Sequence, residues 1–329
     1  MTGVETRTVT RDEDGMRLDR WFKAHYPGLG FGHLQKLVRT GQVRVDGGRV
    51  KTATRLAAGQ AVRVPPISAD DAPRPQKPGA GGLGDADFLR SILLHEDPQV
   101  FVFNKPAGLA VQGGSGVARH VDGMLPSLAK RNGNQPRLVH RLDRDTSGVL
   151  VVARTRTAAA ALAKSFRGRD AHKVYWALVK GVPREREGRI STWLAKVQGP
   201  QGDRMKVARH GDESADHALT HYRVVDQAGQ RLAWLAMEPV TGRTHQLRAH
   251  AAHIGHPIVG DPKYFDVENW ELPGGIQNRL HLHARRIVLP HPAGGMLDVT
   301  APLPPHMRQS WNLLGFDEDE PGAGDIDSA

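Results

Sequence analysis

The residues best placed to do chemistry lie in the segment His140-Arg141-Leu142-Asp143-Arg144-Asp145-Thr146-Ser147-Gly148. It joins Leu138-Val139 to the apolar run Val149-Leu150-Val151-Val152 and so reads as a polar loop between two strands, where a scaffold presents reactive groups. Asp143 is flanked by Arg141 and Arg144, whose charges favour an ionised carboxylate. Thr146 and Ser147 carry side chains able to tie the loop to itself. On residue types alone, Asp143 is either a reactive carboxylate or a turn residue. A second concentration is histidine: His245, His250, His253 and His256, then His281 and His283. A helix would bring His250 and His253 to one face near Asp261, as a metal would require, but no HExxH is present and the neighbouring arginines repel a cation. Polar packing or RNA contact is the expectation for these histidines, and no metal site is expected. Walker and Rossmann glycine patterns and a Gly-x-Ser-x-Gly elbow are absent, so nucleotide-cofactor and serine-hydrolase chemistry is not expected.

The elements that must hold these groups are mostly strands. Val100–Phe103, Val149–Val152, Val174–Val179, His221–Val225, Trp234–Met237 and Ile287–Leu289 are apolar or alternating runs. Thr155–Phe166 is alanine-rich and helical, and Thr244–His253 places Leu247 and Ala251 at helical spacing. Strands outnumber helices without a strand–helix–strand rhythm, which predicts an α+β fold with a mixed, largely antiparallel sheet over residues 88–315.

Ahead of this body lies a small basic module. Leu18, Trp21, Phe22 and His25 mark one helix and Leu34, Leu37 and Val38 a second, which Gly41 would end in a left-handed conformation. Val43-Arg44-Val45, the turn Asp46-Gly47 and Val62-Arg63-Val64 then read as a small sheet. Residues 16–64 carry ten bases against two acids. Residues 1–15 read as an extension, and residues 65–87, with five prolines and four glycines, as a linker. From Phe316 onward the chain has six acids and no base, the composition of a disordered tail.

Charge points to the partner. The 329 residues hold 45 Lys and Arg against 35 Asp and Glu, and ahead of the tail the 45 bases face 29 acids. A folded surface this basic suits a polyanion, with phosphate neutralisation supplying affinity. Cysteine is absent, which removes thiol nucleophiles, thiolate metal sites and disulfides and fits a reducing, cytoplasmic setting. No run is long and apolar enough to span a bilayer, and the first residues have no secretory apolar core, so no membrane association is expected.

Two resemblances sharpen these expectations. RLDRWFKAHYP followed by QKLVRTGQVRVDGGRVK resembles the S4 RNA-binding domain, with Gly30, Phe31 and Gly32 where many such domains carry a Ser-Arg-Ser-like triplet. Lys36, Arg39, Arg44 and Lys51 are then the candidate RNA contacts. HRLDRDTSGVLVVA resembles the signature of the RluA-type pseudouridine synthases, and four further segments match that family in order: Asn104-Lys105-Pro106-Ala107-Gly108, Lys173-Val174-Tyr175-Trp176-Ala177-Leu178-Val179, Thr241-Gly242-Arg243-Thr244-His245-Gln246-Leu247-Arg248 and Leu282-His283-Ala284. The resemblance implies that Asp143 is catalytic, that Tyr175 packs against the target base, that Arg243 pairs with Asp143 and that Leu282 lines the pocket. Arg141 is then placed to fill the gap left by a flipped nucleotide. The S4-like module, the linker and VQGGSG (residues 111–116) together resemble the large-subunit (23S) ribosomal RNA branch of the family, its C type.

The implied reaction isomerises uridine: the N1–C1′ bond breaks and a C5–C1′ bond forms. There is no redox change or net hydrolysis, so one carboxylate and no cofactor are expected. Asp143 has three routes: attack at C1′, attack at C6, or removal of the C2′ proton. The expected partner is large-subunit ribosomal RNA, the expected state a monomer. Other readings are a family member acting on tRNA, a non-catalytic RNA-binding assembly factor, and a histidine-rich metal hydrolase.

Overall fold

A computed structural model describes residues 4–26, 29–67, 83–114, 117–129, 135–199, 203–265, 270–320 and 322–324. The chain divides into two compact units, Met1–Gly82 and Leu83–Ala329.

In the first unit, β1 (Glu5–Thr8), α1 (Leu18–His25), α2 (Phe31–Arg39), β2 (Arg44–Val45), β3 (Gly48–Arg49) and β4 (Ala61–Val64) build a sheet of order β1-β4-β2-β3 beside two helices. The helices follow from the apolar spacing: Leu18, Trp21 and Phe22 of α1 and Leu34, Leu37 and Val38 of α2 are buried against Val43, Val45, Val62 and Val64. Gly41, at φ 72°, supplies the left-handed residue that stops α2, and Asp46-Gly47, at φ 49° and 76°, forms the hairpin turn. The boundary at residue 16 is corrected. β1 pairs antiparallel with β4, Val9 is buried in the core, and Thr10 and Glu13 form a capping box, so the segment read as an extension is part of the unit. A four-residue strand, Glu5-Thr6-Arg7-Thr8, with no apolar side chain offers no alternation to be recognised.

In the second unit the order is α3 (Leu83–Ser91), β5 (Leu93–Glu96), β6 (Val100–Lys105), α4 (Val121–Met124), β7 (Arg137–Leu138), β8 (Ser147–Ala153), α5 (Arg156–Gly168), β9 (His172–Lys180), β10 (Glu187–Val197), β11 (Arg204–Ala208), β12 (Asp216–Ala228), β13 (Leu232–Pro239), α6 (Gln246–His253), β14 (Leu282–Pro290), β15 (Met296–Thr300) and α7 (Pro305–Leu314). α3 therefore begins inside the stretch read as linker; residues 68–82 of that stretch lie outside the described residues, as do Ser115 and Gly116 of VQGGSG. The strands form one mixed sheet of order β11-β10-β12-β13-β9-β14-β8-β6-β5, with β15 on β14 and β7 on β8. Among the described strands every pairing is antiparallel except β14 with β8, where His283 faces Ser147 and Ala284 faces Gly148. At that contact Gly148 has φ 110°, and a Cβ there would lie 2.2 Å from the Ala284 carbonyl oxygen, so the close approach requires glycine.

Alternation along β9 sorts the core. Val174, Trp176 and Leu178 pack with Trp234 and Trp311 on one face, and Ala177 and Val179 pack with Leu235 and Leu282 on the other, which Tyr175 joins. The acidic C-terminal stretch is also corrected, since its first part is docked. Gly315 (φ 76°) ends α7 and turns Phe316 back, so that its N–H donates to Trp311 O at 3.0 Å and the rings lie 5.7 Å apart. Trp176 Nε1–H donates to Ala323 O (2.7 Å), and Glu318 pairs with Arg285 and Arg308. Composition pointed to disorder, but the apolar residues Phe316 and Ala323 anchor the acids between them. Residues 321 and 325–329 lie outside the described residues.

Candidate active site

The loop carrying Asp143 is held from below by Lys105, at the end of β6. Lys105 is fully buried, and its ammonium donates to the carbonyl oxygens of Pro106 (3.0 Å), Leu109 (2.8 Å) and Arg144 (3.0 Å). Three donors thus meet three acceptors. Burial draws this ammonium down to about 7, and the carboxylates of Asp145 and Asp143 act against that shift. Gly108 N–H also donates to Arg144 O (2.9 Å), and Thr146 N–H donates to Asp143 O (3.2 Å), closing the turn. His140 accepts the Val151 N–H at Nε2 (2.8 Å) and stacks on Phe166 with centroids 4.5 Å apart. Burial, reinforced by the charge of Lys173, pushes its imidazole down to about 3, so the ring is neutral and Nδ1 carries the proton. At the other end of the loop Ser147 donates to His283 Nδ1 (2.9 Å), whose Nε2–H donates to Ala301 O (3.2 Å).

Across from this loop stands the segment Thr241–Arg248. Gln246 binds it together: its Oε1 accepts from Thr241 Oγ1 (2.6 Å) and from Arg243 N–H (3.1 Å), and its amide donates to Leu219 O and Thr220 Oγ1, both at 2.9 Å. His245 adopts a left-handed conformation (φ 51°) at the start of α6, which turns the following residues inward.

The pairing expected of Arg243 with Asp143 is not found. Arg243 is at the surface, where it binds Asp216 Oδ2 (3.2 Å) and His217 O (3.1 Å). The cation facing Asp143 is Arg248, with Nη1 3.5 Å from Asp143 Oδ2. The reason is geometric: Arg243 precedes the helix and points outward, whereas Arg248 lies in its buried first turns. Arg248 is fixed by a bidentate pair with Asp261, Nε and Nη2 each 2.7 Å from a carboxylate oxygen, and its guanidinium lies over the Tyr264 ring at 5.2 Å. Burial alone would depress this guanidinium, but the hydrogen bonds and charge of Asp261, with that of Asp143, hold it above its ordinary value. His245 Nε2 is 3.9 Å from Asp143 Oδ2; burial lowers its imidazole against the pull of Asp143. Tyr264 links the two, its hydroxyl 3.1 Å from His245 Nδ1.

These groups line a cavity of about 520 Å³ whose wall includes Asp143, Tyr175, Leu282, Arg141, Arg243 and Arg248. Tyr175 is half-buried, and burial together with the charge of Asp143 raises its phenol well above the ordinary range, so it presents a neutral ring. Arg141 is exposed at the cavity and donates to Thr244 Oγ1 (3.3 Å). Sequence reasoning missed Arg248, Asp261 and Tyr264; the signal was available in Leu247 and Ala251, which mark the inward face of α6 beside Arg248.

Of the histidines, His250, His281 and His283 fall into buried polar packing. His250 lies between Thr192 Oγ1 (2.9 Å) and Thr220 Oγ1 (2.8 Å), and burial lowers it to about 4. No cluster of three metal-ligating side chains occurs among the described residues. In the first unit Lys36, Arg39 and Lys51 are exposed, while Arg44 donates to the carbonyls of Gly41 (3.2 Å) and Gly47 (3.0 Å) and so braces the turn.

A model of the RNA pseudouridylate synthase family matches residues 99–253. The chain is 37% identical over 308 residues to ribosomal large subunit pseudouridine synthase C of Yersinia pestis, across 93% of this chain and 94% of that one. It is also 37% identical over 374 residues to RNA pseudouridine synthase 4, mitochondrial, of Arabidopsis thaliana, across 90% and 78% of the two chains. Among solved structures, human RNA pseudouridylate synthase domain containing 4 superposes with a TM-score of 0.60 at 30% identity, covering 72% of this chain and 97% of that one. With similarity running from the first unit through the cavity to the end of the sheet, the chain belongs to the RNA pseudouridylate synthase family.

Proposed function

We propose that the protein converts specific uridines of large-subunit (23S) ribosomal RNA into pseudouridine, with Asp143 as the catalytic carboxylate. The observation that carries this reading is that, among the described residues, a single carboxylate lines the cavity, 3.5 Å from a buried arginine and with the ring of Tyr175 in the same wall. An isomerase keeps its base in the pocket, so it needs no second carboxylate to activate water, and no cofactor. The target nucleotide flips out of its helix to reach Asp143, Tyr175 and Leu282 flank the uracil, and Arg141 occupies the vacated stack. Arg243, at the surface beside the cavity, contacts the RNA backbone. The bacterial relatives are ribosomal large subunit pseudouridine synthases, which supports large-subunit rRNA as the substrate. The first unit acts as an S4-type anchor through Lys36, Arg39 and Lys51, and the protein works as a cytoplasmic monomer without a membrane. No helix among the described residues is long and apolar enough to cross one.

The test is mass-spectrometric mapping of pseudouridine in RNA from cells lacking the gene, complemented with wild type or with Asp143→Asn. Loss of defined pseudouridines from large-subunit rRNA, restored by wild type alone, is the expected result. Loss from tRNA would reassign the substrate, and an unchanged map would leave an assembly factor.

A further inference from the structure

One part of the cavity wall has no role in the foregoing: Phe166, Arg167 and Arg169 from the end of α5, and Lys173 of β9. Lys173 shares the face of β9 that carries Tyr175, two residues earlier, hence about 7 Å along the strand. It is half-buried, and burial alone, with no carboxylate acting against it, shifts its ammonium. His140 is neutral, Phe166 covers it, and the Tyr175 phenol is held protonated. Asp143 is the one carboxylate lining this cavity among the described residues, and Arg248 already faces it. Arg243 and Arg248 have acidic partners, but among the described residues Lys173, Arg167 and Arg169 have none.

Burial draws the Lys173 ammonium down to about 8, so at neutral pH it remains charged while half removed from water. Such a charge is unfavourable unless something anionic completes it. Beside it Arg169 ends α5 in a left-handed conformation (φ 67°) that usually selects glycine, with Asp170 N–H donating to Ser165 O at 3.0 Å. A side chain in that region carries a backbone cost that glycine would not, and here it sets a guanidinium in the cavity wall.

We propose that Lys173, with Arg167 and Arg169 at the rim, binds a backbone phosphodiester flanking the uridine presented to Asp143. A phosphate supplies the missing counter-charge, and a compact ammonium suits it as a point contact. The assignment rests on RNA being the substrate, and it adds a group that holds the nucleotide by its backbone rather than its base.

The experiment uses full-length protein and an RNA fragment chosen by mapping the pseudouridines that the wild type makes. A failure of the rRNA reading therefore appears as modification of another RNA, on which the same measurements are run. Lys173→Met should weaken RNA binding about tenfold. It should also reduce the slope of log affinity against log salt by roughly 0.7–0.9, with kcat changed less than KM, and Lys173→Arg should recover most of the loss. With wild-type protein, a methylphosphonate at one of the two phosphates flanking the target should cost a similar factor and add nothing to Lys173→Met. If neither methylphosphonate weakens binding, the proposal is overturned. It is equally overturned if the Lys173→Met defect lies entirely in kcat with an unchanged salt slope, which would assign Lys173 to the uracil.

Discussion

Arg248 faces Asp143 with one nitrogen and grips Asp261 with the other two: Nη1 lies 3.5 Å from Asp143 Oδ2 while Nε and Nη2 are each 2.7 Å from Asp261. The strong bidentate bond is made away from the site, so the guanidinium keeps its orientation whatever happens to the Asp143 carboxylate. A looser contact at 3.5 Å leaves Asp143 a partner without locking it against movement toward a substrate atom.

Asp143→Asn should abolish pseudouridine formation while preserving fold and RNA binding, because the amide keeps the shape but loses the charge and nucleophilicity. Turnover is read by mass spectrometry and binding by a filter or fluorescence titration. Multiple turnover by this variant would remove Asp143 from the chemistry.

The two arginines of the Thr241–Arg248 segment should behave differently. Arg248→Ala leaves Asp261 buried without its partner and Asp143 without its cation; breaking such a pair costs about 3–5 kcal/mol, and each 1.4 kcal/mol falling on the transition state is roughly tenfold in rate. Arg243→Ala removes an exposed pair with Asp216, which contributes about 0–1 kcal/mol to stability. It should raise KM for RNA with little change in kcat. Equal losses in kcat from both variants would contradict this division.

That contrast also shows what could be read from residue order. The loop around Asp143, the strands at Val149–Val152 and Val174–Val179 and the helix through Leu247 and Ala251 were all legible, because local patterning specifies them. Which arginine turns inward was not, because it depends on the left-handed His245 and on Asp261, thirteen residues beyond Arg248 and outside any local period. The docked tail was hidden for a similar reason: its acids dominate composition, while Phe316 and Ala323 find partners in Trp311 and Trp176, far away in sequence or around a helix end.

Phe316→Ala should therefore destabilise the protein by about 3–5 kcal/mol, as for a buried aromatic truncated in a core, and deletion of residues 316–329 should cost at least as much. Urea denaturation followed by tryptophan fluorescence is suitable, since Trp234 and Trp311 adjoin the Phe316 ring. An unchanged midpoint would mean that the segment is undocked in solution.

Stability should fall in mild acid through the buried histidines. His140 and His283 are held down to about 3 and His250 and His281 to about 4, in each case chiefly by burial, against 6.5 for a free imidazole. Between those values the unfolded chain binds protons that the native chain does not, so unfolding stability rises with pH in that window. The contribution is complete above about pH 6.5 and is lost as pH falls toward 4. Melting temperatures at pH 7.5, 6 and 4.5 should decline in order, and a flat profile would mean that these imidazoles are charged in the folded state.

The parallel pairing of β14 with β8, the one such pairing among the described strands, sets Ser147 beside His283, 136 positions apart. On a ribosome the Asp143 loop emerges while the strand that must lie beside it, and the α6 arginine that must face it, are still unsynthesised. β6 and β8 have an antiparallel partner in each other, so this part of the sheet has a local pairing available early. The cavity, by contrast, closes only once β14 has been made. A nascent fragment ending before β14 would carry Asp143 without Leu282 in the wall of its pocket, so base-modifying activity should be absent from the growing chain until β14 has been made.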